Sequence, residues 1–284
     1  MSLMCAEICS MSLENLHDAL HLVKESSRGM SLEYDLDTVG LLTLSRFWNF
    51  CYDQSLLVYV NHEPAGIAIH CTDPARLEAY TYYWGVIPKF RSLRLSLQLA
   101  ETCARKLRDG GYTTVHGDTV PDHPVRQWRF VHFYPQKELI DMQSDTPNLP
   151  APNPEFQIRE VPLELIGQLT TQSEQPVHWC QRPTFLRHAA PFLQFVGAFS
   201  GDVLTAYIIC FRKPSGTTIW DLRSLDSSMP AGRELLRWVA NNCPTPFTAC
   251  YVFDNSYSHL LLTNAGFSVK RRFYSLTRDL LTTT

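Results

Sequence analysis

Two arginines and two serines lie within six residues, between a strand-forming segment and a helix-forming segment. They belong to the run Arg91-Ser92-Leu93-Arg94-Leu95-Ser96. At a helix N-terminus the first backbone N–H groups have no partner inside the helix, and they attract anions. Guanidinium groups bind phosphate oxygens through charge-assisted hydrogen bonds. The combination predicts an anion site, above all a phosphate site, at this turn.

The segments on either side of the turn must position it. The run from Tyr80 to Val86 is aromatic and β-branched, which favours a strand, and Pro88 ends that strand because it donates no ladder hydrogen bond. Apolar residues then recur at helical spacing, and Gly110-Gly111 stops the helix. The apolar positions are Leu93, Leu97, Ala100, Ala104 and Leu107.

The pattern Val86-x-Pro88-x-x-Arg91, followed by a long amphipathic helix, resembles the acyl-CoA site of the GNAT superfamily of N-acyltransferases. The family pattern is Arg/Gln-x-x-Gly-x-Gly/Ala, and this chain has Arg94 at the central glycine. The resemblance implies that acetyl-CoA is the cofactor. It also implies two roles for Arg94, which either binds phosphate from the side or fills the groove. The implied cofactor-binding residues are Val86, Arg91, Ser92, Leu93, Arg94, Leu95 and Ser96.

The order of segments repeats after a proline-rich stretch. Residues 146–154 contain four prolines, which predicts an extended, semi-rigid spacer. Beyond it, Asn255 and Gly266-Phe267 match the family pattern, whereas Pro230 replaces the central glycine of the second turn. The resemblance therefore predicts an α/β (α+β, mixed-sheet) fold with two tandem GNAT-like domains, at residues 1–143 and 156–284, joined by a linker at residues 144–155.

Four residues are candidates for proton transfer. Family members place a Tyr general acid after the strand that follows the cofactor helix, but Trp128 has that place here, and Leu262 has it in the second half. Tyr134 lies close in sequence to the missing Tyr. Some family members have a Glu on the strand before the cofactor turn. Its position corresponds to Tyr80 here, and Glu78 lies on the same strand face. His116, on the next strand, could accept a proton near neutral pH.

Composition excludes several classes of protein. The 284 residues include 45% hydrophobic residues and carry a net charge of −3, so the chain can bury a core and has no basic footprint for nucleic acid. Nine cysteines are scattered singly, which predicts reduced thiols in a cytoplasmic protein. We expect no signal peptide and no membrane-spanning segment. The triplet His178-Trp179-Cys180 has no second ligand cluster at metal spacing, so we expect no metal.

The resemblance implies transfer of an acetyl group from acetyl-CoA to a primary amine on a small molecule or a peptide. The competing interpretation is a non-catalytic protein, in which one or both degenerate GNAT domains serve as a binding or dimerisation module, since fold alone does not determine function. The sequence leaves the oligomeric state open.

Overall fold

The computed structural model describes residues 6–30, 33–91, 93–119, 128–172, 177–224 and 229–281. The chain divides into two compact units. Unit 1 consists of Met1–Gln136 and Tyr274–Thr284, and unit 2 consists of Lys137–Phe273. The unit border therefore precedes the proline-rich stretch, and the end of the chain belongs to unit 1.

Unit 1 begins with a strand and two helices and then forms the predicted strand–turn–helix. Its elements are β1 (Ala6–Ser10), α1 (Leu16–Ser27), α2 (Thr38–Trp48), β2 (Leu56–Val60), β3 (Glu63–Asp73), β4 (Glu78–Val86), a 3₁₀ turn (Pro88–Phe90), α3 (Leu93–Asp109) and β5 (Thr114–Asp118). Strand β6 (Tyr134–Ser144) then leads into unit 2.

Unit 2 repeats this order of elements, and its described residues include a further short helix after the strand that follows the long helix. Its elements are β7 (Phe156–Glu160), α4 (Leu163–Gln172), two 3₁₀ turns (Trp179–Gln181 and Ala190–Phe192) flanking α5 (Pro183–Ala189), β8 (Gln194–Ser200), β9 (Val203–Lys213), β10 (Gly216–Ser224), α6 (Met229–Asn242), β11 (Phe247–Phe253) and α7 (Tyr257–Asn264). The last strand, β12 (Ser268–Asp279), begins in unit 2 and ends in unit 1.

The sheet of unit 1 has the order β1-β2-β3-β4-β5, followed by the end of β12. Neighbouring strands are antiparallel except β4 and β5, which are parallel and joined through α3. A parallel pair needs such a crossover. Helix α3 buries Ala100, Ala104 and Leu107 of the predicted stripe against this sheet. The strand–turn–helix prediction is confirmed.

The sheet of unit 2 follows the same pattern, with β7-β8-β9-β10-β11 followed by β6. Strands β10 and β11 are the parallel pair, and α6 connects them. The core on the α6 side is apolar, with Leu235, Leu236 and Leu261 fully buried. Both units therefore contain a parallel strand pair beside a long helix.

The closing strands pair differently from the prediction. The sequence indicates that Phe133 to Met142 closes the first half, but β6 pairs with β11, at Ala249↔Met142. The end of β12 pairs instead with β5, at Thr277↔His116. Any two strands in register form the same backbone hydrogen bonds. The local sequence therefore does not specify which strand completes each sheet.

The proline-rich stretch lies on unit 2. The Asn148 amide donates to the Ala265 carbonyl at 2.8 Å, and the Asn153 amide donates to Glu234 Oε1 at 3.0 Å. Leu149 packs against the apolar core. The extended spacer is thus attached along its length.

The sequence also predicts that Ser12 caps the first helix and that Gln172 to Pro191 is irregular, and both of these predictions were wrong. Helix α1 begins at Leu16 after Asn15, because Ser12 forms a turn with Asn15 instead of capping the helix. The segment Gln172 to Pro191, predicted to be irregular, contains α5, which begins at Pro183. Within the described residues, no helix meets the length and apolarity needed to cross a bilayer, and no His, Cys, Asp and Glu side chains group as metal ligands.

Candidate functional site

A wedge-shaped opening lies between the parallel strands of unit 2. Strands β10 and β11 pair only from Thr217↔Phe247 to Ile219↔Ala249. Beyond that point both strands are bulged: the register of β10 against β9 shifts at Trp220, and that of β11 against β6 shifts at Cys250 and Tyr251. Bulges bend strands and terminate pairing. The two strands therefore diverge.

The wedge holds a cavity of about 280 Å³. One part of its lining comes from the apolar core beside α6 and α7. The other part is polar and comes from the opposite sheet face and from the segment after β11. Representative lining residues are Ile219, Leu222, Leu262, Asp221, Arg223 and Asp254. A cavity with an apolar wall and a few convergent polar groups is the usual form of a small-molecule site.

A buried ion pair lies at the polar wall. Arg223 Nε donates to Asp221 Oδ2 at 3.0 Å, and Arg223 Nη2 donates to Gln181 Oε1 at 3.2 Å. Tyr207 donates its hydroxyl to the same carboxylate at 3.0 Å. Burial lowers the pKa of Arg223, but the charge and hydrogen bonds of Asp221 raise it, and the net pKa lies above its ordinary value. The Arg223 guanidinium therefore stays charged, and its hydrogen bonds to Asp221 fix the bulged end of β10.

A second carboxylate fixes the bulge of β11. Asp141, which is buried, accepts a hydrogen bond from the Tyr251 amide at 3.1 Å and another from Arg271 Nε at 2.9 Å. Tyr251 has a left-handed backbone, with φ 56°, a conformation that costs energy for an aromatic residue. Burial also raises the pKa of the adjacent Cys250 thiol. This thiol is therefore not a thiolate nucleophile.

The aromatic side chain of Tyr251 is held on both sides. The His178 ring stacks on it with centroids 4.3 Å apart, and Trp220 meets it edge-on at 5.9 Å. His178 also accepts a hydrogen bond from the Cys180 amide and caps a 3₁₀ turn. The His178-Trp179-Cys180 triplet therefore supports one wall of the wedge.

Helix α7 brings polar groups to the mouth of the cavity. Ser256 caps the helix by accepting a hydrogen bond from the His259 amide, and Tyr257 lines the cavity. A side chain at Gly232 would lie 2.7 Å from the Tyr257 hydroxyl oxygen. Glycine at this position therefore leaves room for the Tyr257 hydroxyl beside the first turn of α6.

The corresponding wedge of unit 1 is filled. Strands β4 and β5 pair as far as Thr81↔Gly117. The Trp84 and Trp128 rings then meet edge-on at 6.2 Å, and Trp128 meets Phe133 at 5.8 Å. Among the described residues, a void lined in part by Thr81, Trp84 and Phe133 has a volume of about 10 Å³, roughly enough for one water molecule. Trp128, which has the place of the family Tyr, thus packs as an aromatic core residue.

The predicted cofactor residues of unit 1 lie at the start of α3. Arg91 donates to two backbone carbonyls, from Nε to Val86 at 3.2 Å and from Nη2 to Ser26 at 3.0 Å. Val86 and Leu95 are buried in the core, whereas Arg94 is exposed on the first turn. The guanidinium of Arg91 therefore attaches the turn to the end of α1.

The other members of this set give less information. Ser96 is half-buried and Leu93 begins the helix backbone, while Ser92 lies outside the described residues. The role of this turn in binding a cofactor stays a prediction.

Three of the four predicted proton-transfer residues come together in unit 1. His116 Nε2 lies 2.9 Å from Glu78 Oε2, and His116 Nδ1 lies 3.2 Å from Thr277 Oγ1. Tyr80 donates its hydroxyl to Asp118 at 2.6 Å and stacks on Trp48. These side chains lie on the paired part of β4 and β5, before the strands diverge.

The fourth candidate, Tyr134, is 52% exposed at the start of β6. The unit 2 residues Asp221, Arg223 and Asp254 were missed by the sequence interpretation. Only Asp254 had a sequence signal, because it directly precedes Asn255, which matches the family pattern.

Comparison with known proteins identifies the fold. No protein-family model and no curated protein sequence matches the chain. A GCN5-related N-acetyltransferase from Sphaerobacter thermophilus is similar in structure, with TM-score 0.71 and 13% identity over 98% of this chain and 97% of that one.

Two further structures agree. A tandem GNAT protein from the clavulanic acid biosynthesis pathway, in a structure without AcCoA, has TM-score 0.71 and 12% identity over 99% of this chain and 100% of that one. A GCN5-related N-acetyltransferase from Anabaena variabilis has TM-score 0.65 and 14% identity, with 97% and 73% covered. The chain therefore has the GNAT fold over nearly its whole length, and the resemblance indicated by its sequence is confirmed for the fold.

Proposed function

We propose that the protein is an acyl-CoA-dependent N-acyltransferase that transfers an acetyl group from acetyl-CoA to a primary amine at the wedge of unit 2. The observation that carries the proposal is the cavity of about 280 Å³ between the diverging strands β10 and β11. The three similar structures named above are GNAT or N-acetyltransferase proteins, and they support the fold on which the proposal rests.

The two wedges differ in how well they fit an acyl thioester on a pantetheine arm. In unit 2 the strand edges from Ile219 and Ala249 onward border open space, so backbone groups there can bind an extended chain. In unit 1 the same space contains Trp84, Trp128 and Phe133. The residues of unit 2 fit the cofactor, whereas those of unit 1 exclude its acyl end.

The thioester, when bound, supplies an activated acyl carbonyl. In this proposal the chain's own residues orient the reactants and move protons. The apolar wall with Leu222 and Leu262 excludes water, and the Asp221–Arg223 pair holds the bulged end of β10 in place. The Tyr257 hydroxyl, beside the first turn of α6, donates a proton to the departing thiolate. This assigns to Tyr257 the role that Leu262 cannot perform.

Calorimetric titration with CoA tests the proposal, using Leu222→Trp to fill the wedge of unit 2. We expect binding to weaken at least a hundredfold, because an indole at this position takes the space that Trp84 takes in unit 1. The matched control is Leu260→Trp, which adds an indole on α7 where the side chain is already 54% exposed. Unchanged binding by Leu222→Trp, or no heat with wild type, would overturn the proposal.

Steady-state kinetics together with a CoA titration tests the role of Tyr257. Tyr257→Phe should lower kcat by about 10²–10⁴-fold, the usual contribution of a general acid, and leave CoA affinity within twofold. An equal loss in CoA affinity would show that the hydroxyl serves binding instead.

The competing function, a non-catalytic binding module, is favoured by one observation in unit 1. Its wedge is closed by three aromatic rings, so this unit keeps the fold without an open cleft. We propose that unit 1 does not catalyse transfer. Calorimetric titration of the wild type tests this, since the stoichiometry of CoA binding should be one per chain, and a stoichiometry of two would contradict it.

A further inference from the structure

Acyl transfer to an amine requires a proton acceptor. A primary amine is cationic near neutral pH, and it must lose one proton before its nitrogen can attack the thioester carbonyl. A second proton leaves as the amide forms, and one proton ends on the thiol. The net reaction of thioester and ammonium gives amide, thiol and one released proton. A site for this chemistry therefore needs a group that takes up a proton and passes it to water.

Most titratable side chains that line the cavity are unsuited to this task. The Asp221 carboxylate already accepts hydrogen bonds from Arg223, from Tyr207 and from the Leu222 amide. The pKa of Arg223 is raised above its ordinary value, chiefly by Asp221 against the opposing effect of burial. Burial raises the pKa of Cys250 as well, so neither side chain changes protonation near neutral pH.

Asp254 differs because it is bonded to an imidazole. Asp254 lines the cavity directly after β11, and its Oδ1 lies 2.9 Å from His259 Nδ1 on the first turn of α7. Both side chains are partly accessible, with 19% and 20% exposed. Histidine is the side chain that changes protonation most readily near neutral pH.

One backbone amide can stabilise both protonation states of this pair. The Asn255 N–H lies 3.1 Å from Asp254 Oδ1 and 3.0 Å from His259 Nδ1. When Nδ1 is unprotonated it accepts this N–H. When Nδ1 is protonated it donates to Asp254 Oδ1, and the amide then donates to the same oxygen. The left-handed backbone of Asn255, with φ 59°, aims the amide at both acceptors.

The charges around the pair alternate in sign. Arg272 Nη1, on β12, lies 3.4 Å from Asp254 Oδ2 and 2.6 Å from Glu138 Oε1 on β6. Arg272 stays cationic because its hydrogen bond to Glu138 raises its pKa. Charged and titratable side chains thus follow one another in the order Glu138, Arg272, Asp254 and His259.

We infer that Asp254 binds the acceptor ammonium and that His259, acting through Asp254, takes up its proton. This inference rests on the proposed N-acyltransferase function. The N–H bond of the ammonium breaks, the proton passes through the Asp254 carboxylate to His259 Nδ1, and the nitrogen lone pair becomes free to attack. The imidazolium then releases a proton to water, and Asp254 ends as the same carboxylate. Asp254 is the catalytic residue, and His259 is the positioning residue behind it.

The test compares His259→Gln and Asp254→Asn with wild type, using n-propylamine as the probe amine. Free-thiol release from acetyl-CoA gives kcat/KM between pH 5.5 and 9. We expect a fall of at least fiftyfold at pH 7 in His259→Gln and loss of the acidic limb of the pH profile, with CoA affinity unchanged within twofold. The matched control is His188→Gln, which replaces an exposed histidine of α5.

A nuclear magnetic resonance titration separates the proton-transfer role from a purely structural one. The pKa of His259 measured in the free protein should coincide with the acidic limb of kcat/KM. Asp254→Asn, which has no carboxylate to carry the proton, should lower the measured pKa of His259 and should reduce kcat/KM at pH 7 at least as much as His259→Gln does. An unchanged acidic limb in His259→Gln, or a rate within twofold of wild type, would overturn the inference. If wild type binds no CoA, the proposed function fails instead, and that result is distinguishable because the inference predicts normal CoA binding in every variant.

Discussion

The two parallel strand pairs of this protein have the same register but different residues at their centres. Counting from the bulge, Trp84 of β4 corresponds to Leu222 of β10, and the pair Thr81 and His70 corresponds to Ile219 and Cys210. Large aromatic and polar groups fill the first wedge, whereas smaller apolar groups leave the second open. The difference shows that one fold accommodates either a packed core or a binding cleft at the same position.

A second difference concerns the strand that follows the long helix. Strand β11 is bulged against β6, and Asp141 fixes the bulge, whereas the described pairing of β5 with β12 runs without a register shift. A bulge increases the local bend of a strand. The buried carboxylate is thus part of the cause of the open cleft, and it provides the strongest way to test the comparison.

Replacing Asp141 should have the largest effect. Asp141→Ala leaves the Arg271 guanidinium without its carboxylate and the Tyr251 amide without its acceptor, and breaking a buried pair costs about 4 kcal/mol. Asp141→Asn, which retains an acceptor for the amide, should cost less. Urea denaturation with a CoA titration measures both effects. Equal stability of Asp141→Ala and wild type would contradict the role of this carboxylate.

The buried pair of His70 and Thr81 in unit 1 predicts a pH dependence of stability that has no counterpart at the corresponding pair of unit 2. Burial lowers the pKa of His70 from 6.5 to about 4. Since the unfolded state then binds a proton at higher pH than the folded state, this contribution to stability is complete above pH 6.5 and is lost as the pH falls from 6.5 to 4. The full loss is about 3 kcal/mol.

The matched variant transfers the unit 2 residues into unit 1. His70→Cys combined with Thr81→Ile should remove this component of the pH dependence, as measured by urea denaturation at pH 7.5, 5.5 and 4. A double variant with the same loss on acidification as wild type would show that other groups cause it.

Trimming the filled wedge should have a smaller effect. Trp84→Leu introduces the residue that unit 2 has at this position, and the lost contacts with Trp128 should cost about 2 kcal/mol. Thermal denaturation measures the change. A cost near zero would indicate that the aromatic rings do not fill this space in solution.

The smallest effect is expected at the turn that the sequence singles out. Arg94 is exposed on α3, so Arg94→Gly should cost about 1 kcal/mol or less through helix propensity and leave CoA affinity within twofold. Weakening by tenfold, with a weaker salt dependence, would instead support phosphate binding by Arg94 in unit 1. Tighter binding would indicate that Arg94 fills a usable groove.

The sequence predicts local features of this protein better than relations between distant segments. The strand–turn–helix from Glu78 to Asp109 follows from periodicity and from the positions of Pro88 and Gly110, which act through their own backbones. Strand β6 completes the sheet of unit 2, and β12 completes that of unit 1. No local sequence pattern encodes this choice of partners.

The sequence also predicts contacts within the candidate sites better than it predicts the open cavity. The Glu78–His116 contact could be anticipated because the two residues lie on neighbouring parallel strands. The cavity of unit 2 could not, because it results from two bulges and from the small size of Leu222 relative to Trp84. The sequence favours unit 1 as the cofactor-binding unit, because Pro88 and Arg91 match the family pattern there and Pro230 disrupts the second turn. Side-chain volume in the wedge instead favours unit 2.

The last strand also affects when each unit can form during synthesis. Thr277 contacts His116, which lies 161 residues earlier in the chain. At about 5–20 residues per second, roughly ten to thirty seconds separate their emergence from the ribosome. Unit 2 is complete once Phe273 has emerged. Unit 1 is synthesised first, but it still lacks the end of β12 at that point. During that interval β5 presents an unpaired edge, which makes the nascent chain a candidate for chaperone binding until β12 has emerged and paired.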